Sequence, residues 1–271
     1  MDQDADHRSY LLGDTESAVY RYRLFNRVHE PATRDRMATL NIAPDAHVLE
    51  VGCGIGETAC LFATELVPAG HVVAFDRAPE LVETARQTAL ERGIDNITFV
   101  CSDAAEFDFG SERFDLAHTR FVLSYLNGAA EIVGKIFGAM KKGGLFFGEE
   151  IVQSYVLVGE TAAYEPFCKW FGQLIEAGGG QADYGLRQLP ADVLASGFTD
   201  MRATAQWPLE DQSLIVEMVG LALASEMKHN LTRLGIASEA EIDAAVAALN
   251  ATHRNFTVSP AMVAQIIGRK P

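Results

Sequence analysis

The feature that most constrains this chain is a short apolar strand that ends in an acid and leads directly into a glycine-rich turn. The stretch is VLEVGCGIGET, from Val48 to Thr58, and its glycines are Gly52, Gly54 and Gly56. Glycine permits a tight turn and lets a ligand come close to the backbone. A strand, such a turn and a following helix predict the ligand-binding edge of an open α/β sheet.

The segments after this turn alternate between strand-like and helix-like patterns. Predicted strands cover residues 48–51, 71–75, 97–101, 114–119 and 145–149, and predicted helices cover residues 57–66, 79–92 and 129–140. Strands separated by helices of this length indicate βαβ units and a parallel sheet. We therefore predict an α/β core over residues 43–150.

The segments on either side of this core are predominantly helical. Residues 1–42 predict an N-terminal helical lid, in which Glu30-Pro31 would start a second helix. Residues 151–196 and 209–253 predict helical insertions, the second as two helices around Gly235. A strand is expected near residues 197–208, and residues 256–271 would hold the last strand. No linker composition divides the chain, so we predict a single domain over residues 1–271.

The balance of acidic and basic side chains argues against two classes of binding partner. The 271 residues carry 37 acidic and 22 Lys or Arg side chains, a formal net charge of -15. Such a surface repels phosphate backbones and anionic lipids, so we expect neither a nucleic acid nor a membrane partner. The four cysteines form no C-x-x-C pair and no histidine cluster accompanies them, which predicts reduced thiols and no metal. The acidic N-terminus has no signal-peptide pattern, and we predict a cytoplasmic protein.

Acidic residues end three of the predicted strands. Glu50 precedes the glycine turn, Asp76 follows the next strand twenty positions after Gly56, and Asp103 follows the third strand. An acid at the second position can accept hydrogen bonds from ribose hydroxyls, although it could also cap the next helix. The dinucleotide pattern G-x-G-x-x-G would need a third glycine where Glu57 stands. A carboxylate there would repel a pyrophosphate, which favours a nucleoside-type ligand without phosphates.

At this point the sequence resembles the class I S-adenosylmethionine-dependent methyltransferases, and its flanking segments resemble, less specifically, those of the bacterial small-molecule type. VLEVGCGIGE resembles the first motif of that family, VVAFD the second, CSDA the third and FDLAHTRFVLSYL the fourth, while KKGGLFFGEE resembles the turn and fifth strand. The resemblance spans about Val48 to Glu150. It implies a Rossmann-like α/β fold with a mainly parallel seven-stranded sheet, helices on both faces, and S-adenosylmethionine as cofactor.

The resemblance also implies cofactor contacts. Gly52, Cys53, Gly54 and Gly56 would wrap the amino-acid part, with Glu50 holding the turn or reaching the amine through water, and Thr58 following the turn. Asp76, with Arg77 beside it, would hold the ribose, and Ser102, Asp103 and Ala104 would border the adenine. Thr119 and Arg120 would face the methionyl carboxylate or the sulfonium, because the guanidinium binds carboxylates bidentately.

Catalytic and substrate residues are expected near the ends of the fourth and fifth strands. His118 is a candidate base or a satisfied buried histidine, and Glu149 a candidate hydrogen-bond acceptor. At least one of Glu149 and Glu150 is expected to be solvated, and His29 is a weaker candidate. The predicted substrate-binding residues are Tyr22, Glu150, Tyr155, Tyr164, Trp170 and Tyr184; aromatic walls suit a flat, apolar or cationic acceptor, but the same residues could simply pack the insertion.

The predicted function is methyl transfer to a small organic acceptor, with O-, N- and C-methylation all open because the fold does not fix the acceptor. One alternative is a nicotinamide-dependent dehydrogenase, which the missing third glycine disfavours. A second is a protein of this fold that binds the cofactor without transferring a methyl group, such as a cyclase. A nucleic-acid methyltransferase is disfavoured by the charge. A homodimer is compatible with the long helical insertions, although no interface signature is present.

Overall fold

The computed structural model describes residues 16–152, 157–158, 163–206, 212–252, 257–258 and 262–271. A seven-stranded sheet lies at its centre, with the strand order β3-β2-β1-β4-β5-β9-β7. Its strands are β1 (His47–Val51), β2 (His71–Asp76), β3 (Ile97–Cys101), β4 (Phe114–Arg120), β5 (Met140–Val152), β7 (Thr199–Gln206) and β9 (Met262–Arg269). Two further strands, β6 (Leu157–Val158) and β8 (Thr257–Val258), pair with each other in a separate small sheet.

The described helices surround this sheet. They are α1 (Glu16–Met37), α2 (Glu57–Leu61), α3 (Pro79–Glu91), α4 (Ala129–Ala139), α5 (Glu165–Ala177), α6 (Tyr184–Arg187), α7 (Leu189–Ala195), α8 (Gln212–Ala224), α9 (Glu226–Arg233) and α10 (Glu239–Thr252). A π-helical turn, Phe62–Leu66, continues α2, and a 3₁₀ turn covers Leu123–Tyr125.

Strands β1 to β5 are parallel, whereas β9 runs antiparallel to both of its neighbours, β5 and β7. The order of the strands places β1 and β4 in the middle, so the chain reverses its direction of winding there. The prediction of a mainly parallel seven-stranded sheet with Rossmann-like winding is confirmed. Ligands of open α/β sheets bind outside the carboxyl ends of the strands at such a switch point.

Two apolar cores cover the two faces of the sheet. Neighbouring residues of one strand, such as Val48 and Leu49, belong to different cores because side chains alternate across a strand. The first core packs α2 and α3 on the sheet, and the second packs α4 and α7. Strands buried on both faces need continuous apolar runs, as in VVAF of β2.

A third core lies among the helices themselves. It joins α1 to α5, α8, α9 and α10 through buried residues such as Leu24, Phe167, Leu223 and Leu249. Within the described residues, no helix combines the length and the apolarity needed to cross a bilayer. In the same part of the chain, His, Cys, Asp and Glu side chains form no group of three or more that could hold a metal ion.

Three local predictions are corrected by the structure. Helix α1 continues through Pro31 instead of restarting there, because side chains on both sides of the proline are bonded to the sheet, as described below. Residues 212–252 form three helices, since a break at Ser225 separates α8 from α9. The α-helix that starts at Glu57 ends at Leu61 and gives way to the π-helical turn.

Candidate ligand-binding site

The glycine turn after β1 adopts the backbone conformation that its sequence requires. Gly52, Gly54 and Gly56 have φ values of +72°, +52° and +78°, a left-handed region that other residues adopt at a cost. The N–H groups of Gly52 and Cys53 both donate to the carbonyl oxygen of Phe75, each at 2.9 Å. A Cβ atom at Gly52 would lie 2.3 Å from Cγ2 of Val122, so the turn also packs tightly against the segment after β4.

Asp76 at the end of β2 is tied to the same turn. Its Oδ2 accepts the backbone N–H of Gly54 at 2.9 Å, and its Oδ1 accepts that of Ala78 at 3.1 Å. Burial raises the pKa of the Asp76 carboxyl, while these hydrogen bonds oppose the rise. The side chain is 4% exposed and lies on the wall of the cavity described next. Asp76 therefore combines the predicted capping role with a place beside a ligand.

A cavity of about 770 Å³ runs along the carboxyl edge of the sheet. One part, the strand half, is lined by residues from the ends of β1, β2 and β3 and the start of α2: Glu50–Ile55, Glu57, Thr58, Phe75–Arg77 and Ser102–Ala105. The other part, the helical half, is lined by α1, residues 120–122 and 125–127, Ile151, residues of 167–179, α8 and α9. The volume is in the range of sites that enclose a cofactor and a small molecule.

Most of the predicted cofactor contacts lie on this wall. They are Glu50, Gly52, Cys53, Gly54, Thr58, Asp76, Arg77, Ser102, Asp103, Ala104 and Arg120. Gly56 and Thr119 do not line it. A Cβ atom at Gly56 would lie 2.7 Å from Cβ of Ala85, so this glycine permits the close approach of α3. Thr119 is fully buried, and its hydroxyl has no hydrogen-bond partner among the described residues.

The predicted catalytic pair, His118 and Glu149, lies outside the cavity. Both side chains are buried, 0% and 1% exposed, and the His118 Nε2 is 3.1 Å from the Glu149 Oε2. The His118 Nδ1 is 3.9 Å from the Glu50 carboxylate. Burial lowers the pKa of His118, but Glu149 and Glu50 outweigh it and the pKa is raised overall. Neither side chain lines the cavity, so this position corrects the prediction and favours a supporting role.

Glu149 also connects the sheet to helix α1. Its Oε2 accepts the hydroxyl of Thr33 at 2.7 Å, and its Oε1 accepts the Gln265 amide at 2.9 Å. Arg120 donates to the Thr33 hydroxyl at 3.1 Å and to Oδ1 of Asn26 at 2.6 Å. Removing one partner of such a buried hydrogen bond leaves the other partner unsatisfied, which lowers the stability of the folded protein. Helix α1 is thus a fixed wall of the cavity over this stretch, on both sides of Pro31.

Glu150, a predicted substrate contact, supports the cavity wall instead of lining it. Its carboxylate accepts the backbone N–H groups of Val122, Leu123 and Ser124, and the Ser124 hydroxyl at 2.6 Å. The side chain is fully buried. The expectation that Glu149 or Glu150 is solvated is wrong, because each carboxylate finds enough donors inside the protein.

The other predicted substrate residues lie in three different places relative to the cavity and the described residues. Tyr22 lies on the cavity wall. Tyr155 falls outside the described residues. Tyr164, Trp170 and Tyr184 are buried in the apolar cores and do not line the cavity, and the Tyr184 hydroxyl donates to Asp192 at 2.7 Å. These three aromatic side chains therefore pack the protein interior, which was the alternative to substrate binding that the sequence left open.

The structure adds cavity residues that the sequence did not single out and places them beside Tyr22 and His29, which the sequence had named. Helix α1 presents Arg21, Tyr22, Phe25, Asn26 and His29 to the cavity, a spacing that places all five on one helix face. That spacing was visible in the sequence, but nothing indicated which side would face the ligand. Phe121, with φ +57°, and Tyr125 come from the segment after β4. A strained non-glycine backbone beside a cavity is a common feature of functional sites.

His29 is the histidine that the sequence ranked below His118, yet it is the one on the cavity wall. Its ring contacts Phe25 and Phe121, with centroids 4.3 and 4.9 Å away. Burial and the Arg120 charge lower its pKa to about 3. Its Nε2 has no hydrogen-bond partner among the described residues. His29 is therefore neutral at physiological pH and offers one unused polar atom.

An open α/β protein with a glycine turn and strand-end acids around such a cavity belongs to the class that binds nucleotide-like ligands at this edge. The profile of the methyltransferase domain matches residues 42–185, more than half of the 271 residues. The chain belongs to the methyltransferase-domain family, and the resemblance stated from the sequence is confirmed.

Among curated proteins, the chain is 33% identical over 119 residues to aklanonic acid methyltransferase DauC from Streptomyces sp. strain C5, covering 43% of this chain and 48% of the relative. The chain spans about half the length of the first curated relatives it matches.

Two solved structures share the fold. A phosphoethanolamine N-methyltransferase 2 from Haemonchus contortus, crystallised with S-adenosylhomocysteine, has a TM-score of 0.61 at 17% identity, covering 97% of this chain and 60% of its own. The [4+2]-cyclase SpnF has a TM-score of 0.58 at 19% identity, covering 92% and 80%. Identities this low show the fold alone.

Proposed function

We propose that the protein transfers a methyl group from S-adenosylmethionine to a small organic acceptor. The observation that carries the proposal is the strand half of the cavity, where the glycine turn, Glu50, Asp76 and Asp103 meet along one wall. Membership of the methyltransferase-domain family supports it. A curated relative acts on a small molecule by its name, and a structural neighbour was crystallised with the demethylated cofactor.

The strand half fits S-adenosylmethionine through specific groups. Glu50 is 3% exposed, and its Oε2 has no partner among the described residues, so it offers a buried acceptor to an ammonium group. Asp76 lies where the ribose of a nucleoside-type ligand would need an acceptor. Glu57 also lines this half and pairs with Arg92 at 2.7 Å. A carboxylate at this position disfavours a pyrophosphate and therefore NAD.

The protein's contribution to methyl transfer would be binding, orientation and exclusion of water. S-adenosylmethionine supplies an electrophilic methyl group on a sulfonium, and attack by the acceptor breaks the C–S bond. Holding both molecules in line accounts for a large share of such rate enhancements. Arg120, fixed by Asn26 and Thr33, lines the helical half of the cavity where β4 ends. Glu150 keeps the segment after β4 in place behind the acceptor.

The remaining expectations are part of the proposal. We propose one methyltransferase domain over residues 1–271, with residues 1–42 covering the ligands, and a small-molecule acceptor in the helical half. The net charge of -15 disfavours nucleic acid as acceptor. A cytoplasmic location and a homodimer stay predictions, to be tested by fractionation and by light scattering.

The cofactor assignment is tested by calorimetric titration of S-adenosylmethionine and of NAD into the purified protein. We expect micromolar binding of S-adenosylmethionine and no binding of NAD. The variant Asp76→Asn keeps the size of the side chain but weakens its acceptor role, and should bind S-adenosylmethionine about tenfold more weakly. Asp95→Asn, at an exposed position between α3 and β3, is the matched control and should bind as the wild type does.

Binding of NAD, or of neither ligand, would refute the cofactor assignment. Binding of S-adenosylmethionine without S-adenosylhomocysteine release, against a broad panel of acids, phenols and amines, would favour the non-methylating alternative. Mass spectrometry of a product heavier by one methylene unit would establish the transferase.

A further inference from the structure

The two halves of the cavity carry opposite charges. The strand half contains four carboxylates, Glu50, Glu57, Asp76 and Asp103, against the single cation Arg77. The helical half contains three arginines, Arg21, Arg120 and Arg233, and none of its described lining residues is an acid. In a chain with 37 acidic and 22 Lys or Arg side chains, composition alone favours acids over arginines on such a wall.

Two of these arginines, Arg120 and Arg233, are held by hydrogen bonds to neutral side chains. Arg120 donates to the neutral groups of Thr33 and Asn26, with Glu149 behind the wall. Within the described residues, Arg233 donates to Oδ1 of Asn230 at 3.3 Å and lies on the exposed last turn of α9. Within the described part of the chain, neither forms an ion pair. Apolar side chains such as Phe25, Phe121, Phe171 and Met218 line much of this half, beside the uncharged polar side chains Asn26, His29, Asn127 and Asn230.

We infer that the acceptor is an apolar, flat molecule carrying an acidic group, a carboxylate or an acidic phenol, which binds in the helical half as its anion. Arginine recognises such groups by paired, charge-assisted hydrogen bonds. Among the described residues an ammonium group would meet three cations and no carboxylate there, and contact with aromatic faces would not offset that repulsion. The inference rests on the proposed function and narrows its acceptor.

The chemistry of the wall agrees with this class of acceptor. The anionic oxygen would attack the methyl carbon, a C–O bond would form, the C–S bond would break, and the sulfonium would leave as a neutral thioether. No proton is released in that step, so no base is needed. His118 and Glu149 lie outside the cavity, and the neutral His29 is a poor base because its pKa is about 3. An alcohol or an ammonium acceptor would need a base that the described residues of this half do not provide.

The test uses three probes of one shape that differ in charge: 2-naphthoate, 2-naphthamide and 2-naphthylmethylammonium. Each is titrated by calorimetry into the full-length protein saturated with S-adenosylhomocysteine. We expect 2-naphthoate to bind about tenfold or more tightly than the ammonium probe, with the amide between them. Saturation with S-adenosylhomocysteine is measured first, so failure of the cofactor assignment is seen separately from failure of this inference.

Variants of α9 then locate the selectivity. Arg233→Gln should reduce the preference for 2-naphthoate about fivefold and leave S-adenosylmethionine affinity unchanged. Lys228→Gln is the matched control, because it removes one positive charge from the same helix at a side chain that pairs with Asp243 outside the cavity. It should leave the preference as in the wild type. Arg21→Lys, which keeps the charge of a buried wall residue, should retain the preference for the anion.

Three results would overturn the inference. The first is equal or tighter binding of the ammonium probe in protein that binds S-adenosylhomocysteine. The second is an equal loss of preference in Arg233→Gln and Lys228→Gln, which would reduce the effect to the overall charge of the protein. The third is a loss of S-adenosylmethionine affinity in Arg233→Gln with the anion preference intact, which would assign this arginine to the cofactor.

Discussion

His118 on β4 and Glu149 on the neighbouring strand β5 form a buried pair, with Nε2 of the histidine 3.1 Å from Oε2 of the carboxylate. Glu149 accepts hydrogen bonds from Thr33 of α1 and from Gln265 of β9. His118 lies beside Glu50, and Glu50 is the one of the two that lines the cavity. The pair therefore links the helix that covers the cavity to the acid that precedes the glycine turn. Its effect on a ligand would be transmitted through these neighbours.

Replacing His118 by Gln should lower the free energy of unfolding by about 3 kcal/mol, because a buried carboxylate loses its charged partner. The pKa of His118 is raised in the folded protein, so its stabilisation is complete below the usual value of 6.5 and is lost as the pH rises through the folded value. Urea unfolding of both proteins from about pH 5.5 to about pH 8.5 measures this. The difference should shrink toward alkaline pH; a constant difference would mean that folding leaves the pKa of His118 unchanged.

His29 should show the opposite pH dependence. Its pKa is lowered to about 3, so the stability linked to it is present above the usual value of 6.5 and is lost as the pH falls toward the folded value. The loss approaches about 1.4 kcal/mol per pH unit at most for a single group. In His29→Gln this acid-side loss should disappear, as measured by urea unfolding between about pH 7 and about pH 5. Equal slopes for the variant and the wild type would contradict a buried neutral imidazole.

The strand half of the site could be predicted from the sequence because it depends on local patterns. A glycine triplet after Val51 fixes a turn, and acids at the ends of β1, β2 and β3 must meet at the carboxyl edge of a parallel sheet. The motif order supplied by the family resemblance then placed Ser102 and Arg120 near the same edge. Both steps use spacing along the chain and a topology rule, and neither needs side-chain packing.

The helical half could not be predicted in this way. Whether Tyr22 or Tyr164 reaches the cavity depends on how α1, α5, α8 and α9 pack together, and each of these helices has apolar residues enough for either orientation. Glu149 and Glu150 illustrate the same limit, since consecutive residues of a strand point to opposite faces. One meets Thr33 of α1 and the other meets the turn at 122–124, and no local signal assigns a donor to either.

Glu150→Ala should destabilise the protein by about 3 kcal/mol, because the buried N–H groups of Val122, Leu123 and Ser124 would lose their acceptor. Glu150→Gln keeps one carbonyl oxygen and should cost about 1 kcal/mol. In both variants, calorimetry should show a larger loss of affinity for 2-naphthoate than for S-adenosylmethionine. The reason is that Val122 and Tyr125, in the segment that Glu150 holds, line the helical half of the cavity. Folded Glu150→Gln protein with unchanged stability and an abolished turnover would instead assign the carboxylate a direct catalytic role.

Gly52→Ala tests how closely the glycine turn packs on the segment after β4. The new Cβ would lie 2.3 Å from Cγ2 of Val122 at a residue with φ +72°, so both strain and overlap contribute, and we expect a cost of about 3 kcal/mol in urea unfolding. Gly54→Ala is the control, with φ +52° and no atom within 4 Å of the added Cβ, and should cost about 1 kcal/mol. In the double variant Gly52→Ala, Val122→Ala the overlap with Cγ2 is removed, so the two changes should be less destabilising together than the sum of each alone. Strict additivity would show that backbone strain, and not the contact with Val122, makes glycine necessary at this position.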